Sequence, residues 1–393
     1  MIFKYHRAMI VRREHEAQVR AQLEDFPVVA IVGARQVGKT TLARRLIADL
    51  PGPVTVFDLE DPTHERRLAD PKLALAPLRG LVVIDEVQRH EGIFRLLRVL
   101  VDRPDNPARF LILGSASPAL LRQSSESLAG RIAYHELPPF RAGEVGTGSA
   151  VVERLWLRGG FPRSFFAGDD RRSMRWRSTF IRTFLERDLP QLGVTVPAAT
   201  MRRFWTMVAH YHGSVWNNAE LARALGVTAP TVMTYLDALV DALVVRRLVP
   251  WFENLKKRQV KAPKVYLADS GLLHALLGLE SSEALLGHPK SGLSWEGFAL
   301  HEVVHRLGFA WENCYYWGTH GGAELDLLAL DGGRRRGFEF KRASAPQMTR
   351  SMHAALADLK LDRLFVIFPG DGRFPLHEDV EAIGLERLVA EGL

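Results

Sequence analysis

The sequence predicts an α/β protein of more than one domain, on three observations. Apolar runs of strand length alternate with helical patterns in the N-terminal part of the chain. One of these runs opens into a glycine-bounded loop and then a helix, "VVAIVGARQVGKTTLARRLI". The chain is also 393 residues long, too long for one ordinary core.

Composition narrows the class. At 47% hydrophobic and 25% charged residues the chain sits near globular averages. No apolar run approaches the roughly 20 residues that span a bilayer. The opening stretch "MIFKYHRAMIVRREHE" holds no apolar segment of signal-peptide length. Cys314 is the single cysteine, so neither a disulfide framework nor a cysteine zinc site is expected. These points favour a cytoplasmic protein with no membrane partner. Lys plus Arg number 52 against 45 Asp plus Glu, a net charge of +7. With a pI near 9.6 this suits a polyanion such as nucleic acid, although solubility alone also explains it.

The first engine follows an N-terminal helix. Val28 to Val32 reads as a buried strand, and a helix with Leu42, Leu46 and Ile47 on its apolar face comes after the loop. Between them, Gly33 and Gly38-Lys39-Thr40 have the phosphate-loop spacing G-x-x-x-x-G-K-T. Gly33 and Gly38 let the backbone curl so that the amides of Ala34, Arg35, Gln36 and Val37 face phosphate, backed by the helix dipole. Lys39 is placed to reach the β and γ phosphates. Thr40 is placed to ligate Mg²⁺, with Thr41 beside it on the helix. "GLVVIDEVQRH" puts Asp85 where a second Mg²⁺ contact belongs and Glu86 where a base would polarise water. "RFLILGSAS" ends at Ser115, a polar residue placed to sense the γ-phosphate. The expected ligands are ATP and Mg²⁺.

The runs "VGARQVGKTTL", "VIDEVQ", "LILGSAS" and "SLAGRIAYHELPPF" together resemble bacterial and archaeal AAA+-type ATPases that carry a restriction-endonuclease-like C-terminal domain. "LRGGFPRSF" and "FIRTFLERDLP" look like the helical segment that follows the core in that family. The resemblance implies a homo-oligomer, a hexameric ring being favoured, with Arg131 of "LAGRI" as an arginine finger. Arg163 and Arg187 are candidates for a second sensor arginine.

The middle of the chain reads as a helix-turn-helix. Asn217 or Asn218 caps a helix through Leu225, Gly226-Val227 turns, and Thr228 caps a second helix with Val232, Leu236 and Leu239 inward. Two strands follow, joined by a loop bearing Lys256, Lys257, Arg258 and Lys261. That order predicts a winged helix. Its exposed recognition positions, Thr231 among them, are hardly basic, so backbone contacts to DNA without sequence readout are expected. Protein docking is the rival use. ATPase core, lid and winged helix in this order also resemble the Holliday-junction branch-migration motor.

Near the end, "ELDLLALDGGRRRGFEFKR" gives a strand with Asp326, a hairpin turn, and a strand with Glu339 and Lys341. With Glu296 on the preceding helix this resembles the PD-(D/E)xK nuclease core. The resemblance implies a second Mg²⁺ held by Asp326 and Glu339, assisted by Glu296 and Lys341. The same helix carries His301-Glu302-Val303-Val304-His305, the H-E-x-x-H zinc pattern, but Trp311 stands where a third histidine belongs. The expected fold is thus α/β: a P-loop AAA+-type ATPase core (1–140), a helical lid (141–210), a winged-helix domain (211–268) and a C-terminal α/β nuclease-like domain (269–393). The expected activity is ATP-driven translocation on, or remodelling of, branched or forked DNA. The alternatives are an ATP-gated Mg²⁺-dependent nuclease and a nucleotide-dependent switch.

Overall fold

β1 (Val28–Gly33) is buried along its whole length, as a strand covered on both sheet faces must be. Alternation sorts its residues. Val29 and Ile31 pack with Leu42 and Leu46 of α2 (Lys39–Ala48) and with Val19 and Leu23 of α1 (Arg13–Asp25). Val28, Ala30 and Val32 face Phe94 and Leu97 of α3 (Ile93–Val101). The computed structural model describes residues 10–90, 92–104, 108–115, 124, 126–191, 193–253 and 258–393.

The chain divides into two compact units. Unit 1 runs to Pro139 and includes Asp241–Leu243; unit 2 holds Phe140–Val240 and Val244–Leu393. Unit 1 is built on β1, β2 (Val54–Asp58), β3 (Gly80–Asp85), β4 (Ala108–Ser115) and β5 (Ile132–Glu136). They form one parallel sheet in the order β2-β3-β4-β1-β5. Parallel strands put their C-terminal ends, and the loops that follow, along one edge. That edge carries the glycine-rich loop after β1 and Asp85-Glu86 at the end of β3, the crevice where open α/β sheets bind ligands.

Unit 2 contains the segments expected as lid, winged helix and nuclease-like domain. Asn217 caps α4 (Asn218–Leu225) by accepting from Ala219 and Glu220 N–H. Gly226 takes the left-handed turn at φ 69°, and α5 (Ala229–Asp241) buries Val232, Leu236 and Leu239 as the spacing predicts. β6 (Ser214–Val215), β7 (Val245–Pro250) and β8 (Lys264–Leu267) flank these helices. The remaining strands are β9 (Cys314–Gly318), β10 (Glu324–Asp331), β11 (Arg334–Phe340), β12 (Arg363–Phe368), β13 (Arg373–His377) and β14 (Val380–Gly384).

All nine strands of unit 2 make one sheet, ordered β13-β14-β12-β11-β10-β9-β7-β8-β6. β7 joins its two halves by pairing antiparallel with β8 and parallel with β9. The hairpin strands after α5 are therefore continuous with the C-terminal sheet. The β10–β11 turn uses Gly332 and Gly333 at φ 56° and 81°, the glycine chemistry that "DGG" announces. α6 (Ser291–Arg306) and α7 (Arg350–Leu359) complete the frame; Met352, Ala355 and Leu359 of α7 pack on Leu325, Leu328 and Val366. Among the described residues no helix is long and apolar enough to cross a membrane.

Candidate functional site

Each unit gathers a cluster of charged side chains that the sequence singles out. In unit 1 the loop after β1 is shaped by two glycines for different reasons. A Cβ on Gly33 would come 2.5 Å from the Leu137 carbonyl oxygen, so close approach excludes a side chain. Gly38 has open space around it but a φ of 108°, so conformation requires glycine there. Ala34 and Val37 are buried and anchor the loop, Arg35 is half-buried, and Gln36 is exposed at φ 62°. Lys39 is only 6% exposed, and its ammonium donates to the carbonyls of Gly33 at 3.0 Å and Ala34 at 3.1 Å.

Thr40 donates its hydroxyl to Asp85 Oδ2 at 2.7 Å, while Asp85 Oδ1 accepts from Glu86 N–H at 2.9 Å. Burial pushes the Asp85 carboxyl up, and the Thr40 hydrogen bond pulls it partly back. A hydroxyl and a carboxylate side by side are hard oxygen donors of the kind Mg²⁺ takes next to nucleotide phosphates, so these residues fit the ion. Thr41 is exposed on the first turn of α2. Ser115 ends β4 directly beside Gly33 in register; its side chain lies outside the described residues.

Glu86 sits at φ 54°, a left-handed backbone position unusual for a side-chain-bearing residue. Its carboxylate accepts from the Gln88 amide and lies 3.8 Å from the Arg35 guanidinium, which also binds Glu60 at 3.1 Å. Sequence reasoning gave Arg35 only a backbone role and missed this link. Arg131 lies elsewhere. It precedes β5 beside Val28, at the end of β1 away from the loop, roughly 17 Å along the strand. Its guanidinium is held by Asp102 at 2.5 and 3.0 Å.

In unit 2 the structure brings Glu296, Asp326, Glu339 and Lys341 together. Glu296 projects from α6, Asp326 from β10 at a register shift between Leu325 and Leu328, and Glu339 from β11. A bulge of this kind re-aims a side chain. Lys341 Nζ is 2.7 Å from Glu339 Oε2 and 4.0 Å from Asp326 Oδ2, which also accepts from Phe340 N–H at 3.1 Å. Burial, then the neighbouring Asp326, pushes the Glu339 carboxyl up to about 8 and that of Glu296 up to about 7.

Two members of this pocket, Lys264 and Tyr266, were missed from the sequence. Lys264 of β8, 2% exposed, contacts Glu296 Oε1 at 3.4 Å, Asp326 Oδ1 at 3.5 Å and Glu324 Oε1. Tyr266 donates its hydroxyl to Glu296 Oε1 at 2.7 Å. The available signal was a lone charge opening the apolar run "KVYL", a lysine that a buried strand tolerates only when paired.

Residues of the H-E-x-x-H stretch of α6 have protein partners. Glu302 accepts from Ala142 N–H at 2.9 Å and pairs with Arg141 at 3.7 Å, while His301 Nδ1 is 2.7 Å from the Gly297 carbonyl. Among the described residues no group of three or more His, Cys, Asp or Glu is arranged to hold a metal ion. Of the residues expected to contact DNA, Thr231 is half-buried and hydrogen-bonded to the Thr228 hydroxyl at 2.8 Å. Arg258 and Lys261 are exposed, and the Arg258 carbonyl accepts from His320 N–H at 2.9 Å. Lys256 and Lys257 lie outside the described residues.

Three family models match successive stretches of the chain. A family described as "AAA domain" matches residues 25–146. Two domains of unknown function, DUF8612 and DUF4143, match residues 150–283 and 291–388. The uncharacterized proteins Rv2008c of Mycobacterium tuberculosis and Mb2031c of Mycobacterium bovis are each 53% identical, over 98% of this chain and 86% of theirs. Among solved structures, the Walker-type ATPase PABY2304 of Pyrococcus abyssi is 16% identical with a TM-score of 0.48, covering 68% of this chain and 96% of that one. The Thermotoga maritima RuvB Holliday junction branch migration motor is 19% identical with a TM-score of 0.31, covering 61% and 90%.

Proposed function

Because the chain belongs to the family of the mycobacterial proteins Rv2008c and Mb2031c and carries an AAA domain, we propose that it is an ATP hydrolase that works on DNA. The observation that carries the ATPase half is the convergence of Lys39, Thr40, Asp85 and Glu86 at one edge of a parallel sheet. Lys39 can leave two neutral carbonyls for the β and γ phosphates, and the loop amides take the remaining phosphate oxygens. Mg²⁺, when bound with ATP, neutralises charge developing on the phosphates. Glu86, steadied by Gln88 and Arg35, orients the attacking water.

The DNA half rests on the capped α4–α5 pair and on the β7–β8 hairpin, whose connection presents Arg258 and Lys261 to solvent. With hardly basic residues on α5, contact through phosphates is the expected mode, structure-selective and not sequence-specific. Arg131 supports assembly into a ring, a hexamer being favoured. It sits too far along β1 to serve its own loop, so a finger there would act on a neighbour's nucleotide.

Steady-state ATP hydrolysis by the purified chain, alone and with single-stranded, duplex, forked and four-way-junction DNA, tests the proposal. Stimulation selective for forked or junction DNA is expected. Turnover indifferent to every DNA would sink the motor reading in favour of a nucleotide-dependent switch that docks protein. A second reading, a nucleotide-gated Mg²⁺-dependent nuclease, draws on the grouping of Glu296, Asp326, Glu339 and Lys341. The Lys264 contacts weigh against it.

A further inference from the structure

We infer that Lys264 is the resident cation of the unit 2 pocket and that its carboxylates form a metal-free clasp, not a divalent-cation site. The inference concerns unit 2 alone and stands whether or not unit 1 hydrolyses ATP.

The pocket carries a cation of its own. An ammonium offers three N–H donors, and Lys264 meets three carboxylates: Glu296 from α6, and Glu324 and Asp326 from β10. Tyr266, Phe340 and Lys341 add further donors. Glu296 Oε1 takes the Tyr266 hydroxyl, Asp326 Oδ2 takes Phe340 N–H, and Glu339 Oε2 takes Lys341. Mg²⁺ demands near-octahedral oxygens at about 2.0–2.1 Å. To reach Asp326 and Glu296 it must push a buried ammonium off three carboxylates. Asp326 Oδ1 faces that ammonium at 3.5 Å.

The clasp has a mechanical result. Lys264 opens β8, the strand reached directly from the loop bearing Arg258 and Lys261. Tying β8 to α6 and β10 fixes the base of that hairpin to the C-terminal sheet. The pocket therefore holds the hairpin in place, and phosphodiester cleavage is not its role.

Mn²⁺ binding to the nucleotide-free full-length chain, read by electron paramagnetic resonance, tests this by comparing wild type with Glu339→Gln and Lys264→Met. Glu339→Gln should bind the same Mn²⁺ as wild type, because unit 2 contributes none. Lys264→Met should gain about one Mn²⁺ per chain, lost again in the Lys264→Met, Glu339→Gln double variant. A wild-type Mn²⁺ site abolished by Glu339→Gln would overturn the inference, and this comparison survives even if Lys264→Met fails to fold. A folded Lys264→Met chain that still takes no Mn²⁺ would overturn it too, since Lys264 would not be what keeps the ion out. DNA cleavage in Mg²⁺ or Mn²⁺ that disappears with Glu339→Gln has the same consequence.

Discussion

Lys39 and Lys264 are both buried lysines beside sheet carboxylates, yet they leave opposite chemistry behind. Lys39 donates to two backbone carbonyls, neutral acceptors it can exchange for phosphate, while Asp85 is held by a hydroxyl. Lys264 is ion-paired with three carboxylates from two elements. Exchanging neutral acceptors for an anion strengthens the lysine's interactions; exchanging carboxylates for anything else leaves buried charges unpaired. Residue type does not make a ligand site. The partners the charge already has decide whether it is available.

The sharpest way to break that comparison is to delete each lysine. Lys264→Ala should destabilise unit 2 by about 3–5 kcal/mol, the cost of leaving buried carboxylates uncompensated. Hydrogen exchange of β8 and β10 amides would read the loss locally, which matters in a chain of two units. Lys39→Ala should leave protection of β1 and α2 close to wild type, because the carbonyls of Gly33 and Ala34 that it meets are neutral. Its effect should fall on turnover instead, with ATP hydrolysis reduced roughly 10²–10³-fold, the scale of one lost transition-state donor. DNA binding should persist. Equal stability losses in the two variants would erase the distinction.

How much of this could be read beforehand follows from range. The phosphate loop is a contiguous stretch whose chemistry is local, so Gly33, Gly38, Lys39 and Thr40 declare themselves, and so do the capped helix pair and the "DGG" turn. The joining of β7 to β9 is not local: nothing in "VRRLVP" says that a parallel partner lies some seventy residues on. For the same reason "KVYL" read as a wing strand alone. Burial of its lysine depends on Glu296 and Glu324, which the fold brings in from elsewhere. Asp326, Glu339 and Lys341 were legible as a group because one hairpin carries them, whereas the cation that changes their meaning comes from another strand.

A buried carboxylate with an incomplete partner sharpens the comparison from a third side. Glu302, 2% exposed, has an Arg141 guanidinium at 3.7 Å and the Ala142 N–H; burial outweighs both and, with the like charge of Glu144 adding to it, pushes the carboxyl up to about 7. Its folded value lies above its unfolded one. The stabilisation of the neutral form is therefore fully present below about 4.5 and is lost as pH rises through about 7. At about 1.4 kcal/mol per unit this amounts to roughly 3 kcal/mol across that window. Glu302→Gln should flatten this part of the stability–pH curve and make the variant the more stable form at pH 8. Thermal melts at pH 5 and pH 8 measure it. A variant as pH-sensitive as wild type would show that Arg141 already compensates the charge.

At the far end are charges with no buried partner to lose. Arg258 and Lys261 are exposed, so replacing them should cost the fold little and act only on a bound polyanion. If each meets one DNA phosphate, Arg258→Ala and Lys261→Ala should each lower the slope of log affinity against log salt by about 1, and the double variant by about 2. The loss should be the same for every DNA sequence, because phosphates carry no sequence information. Fluorescence anisotropy of a labelled fork across a salt series reads the slope directly. An unchanged slope would remove the hairpin from the DNA surface. A loss confined to one sequence would assign it to a groove and overturn the backbone mode. The predicted additivity follows from the comparison that begins with Lys39: solvent-exposed charges act one by one, whereas those inside the Lys264 clasp cannot be removed singly without unbalancing the rest.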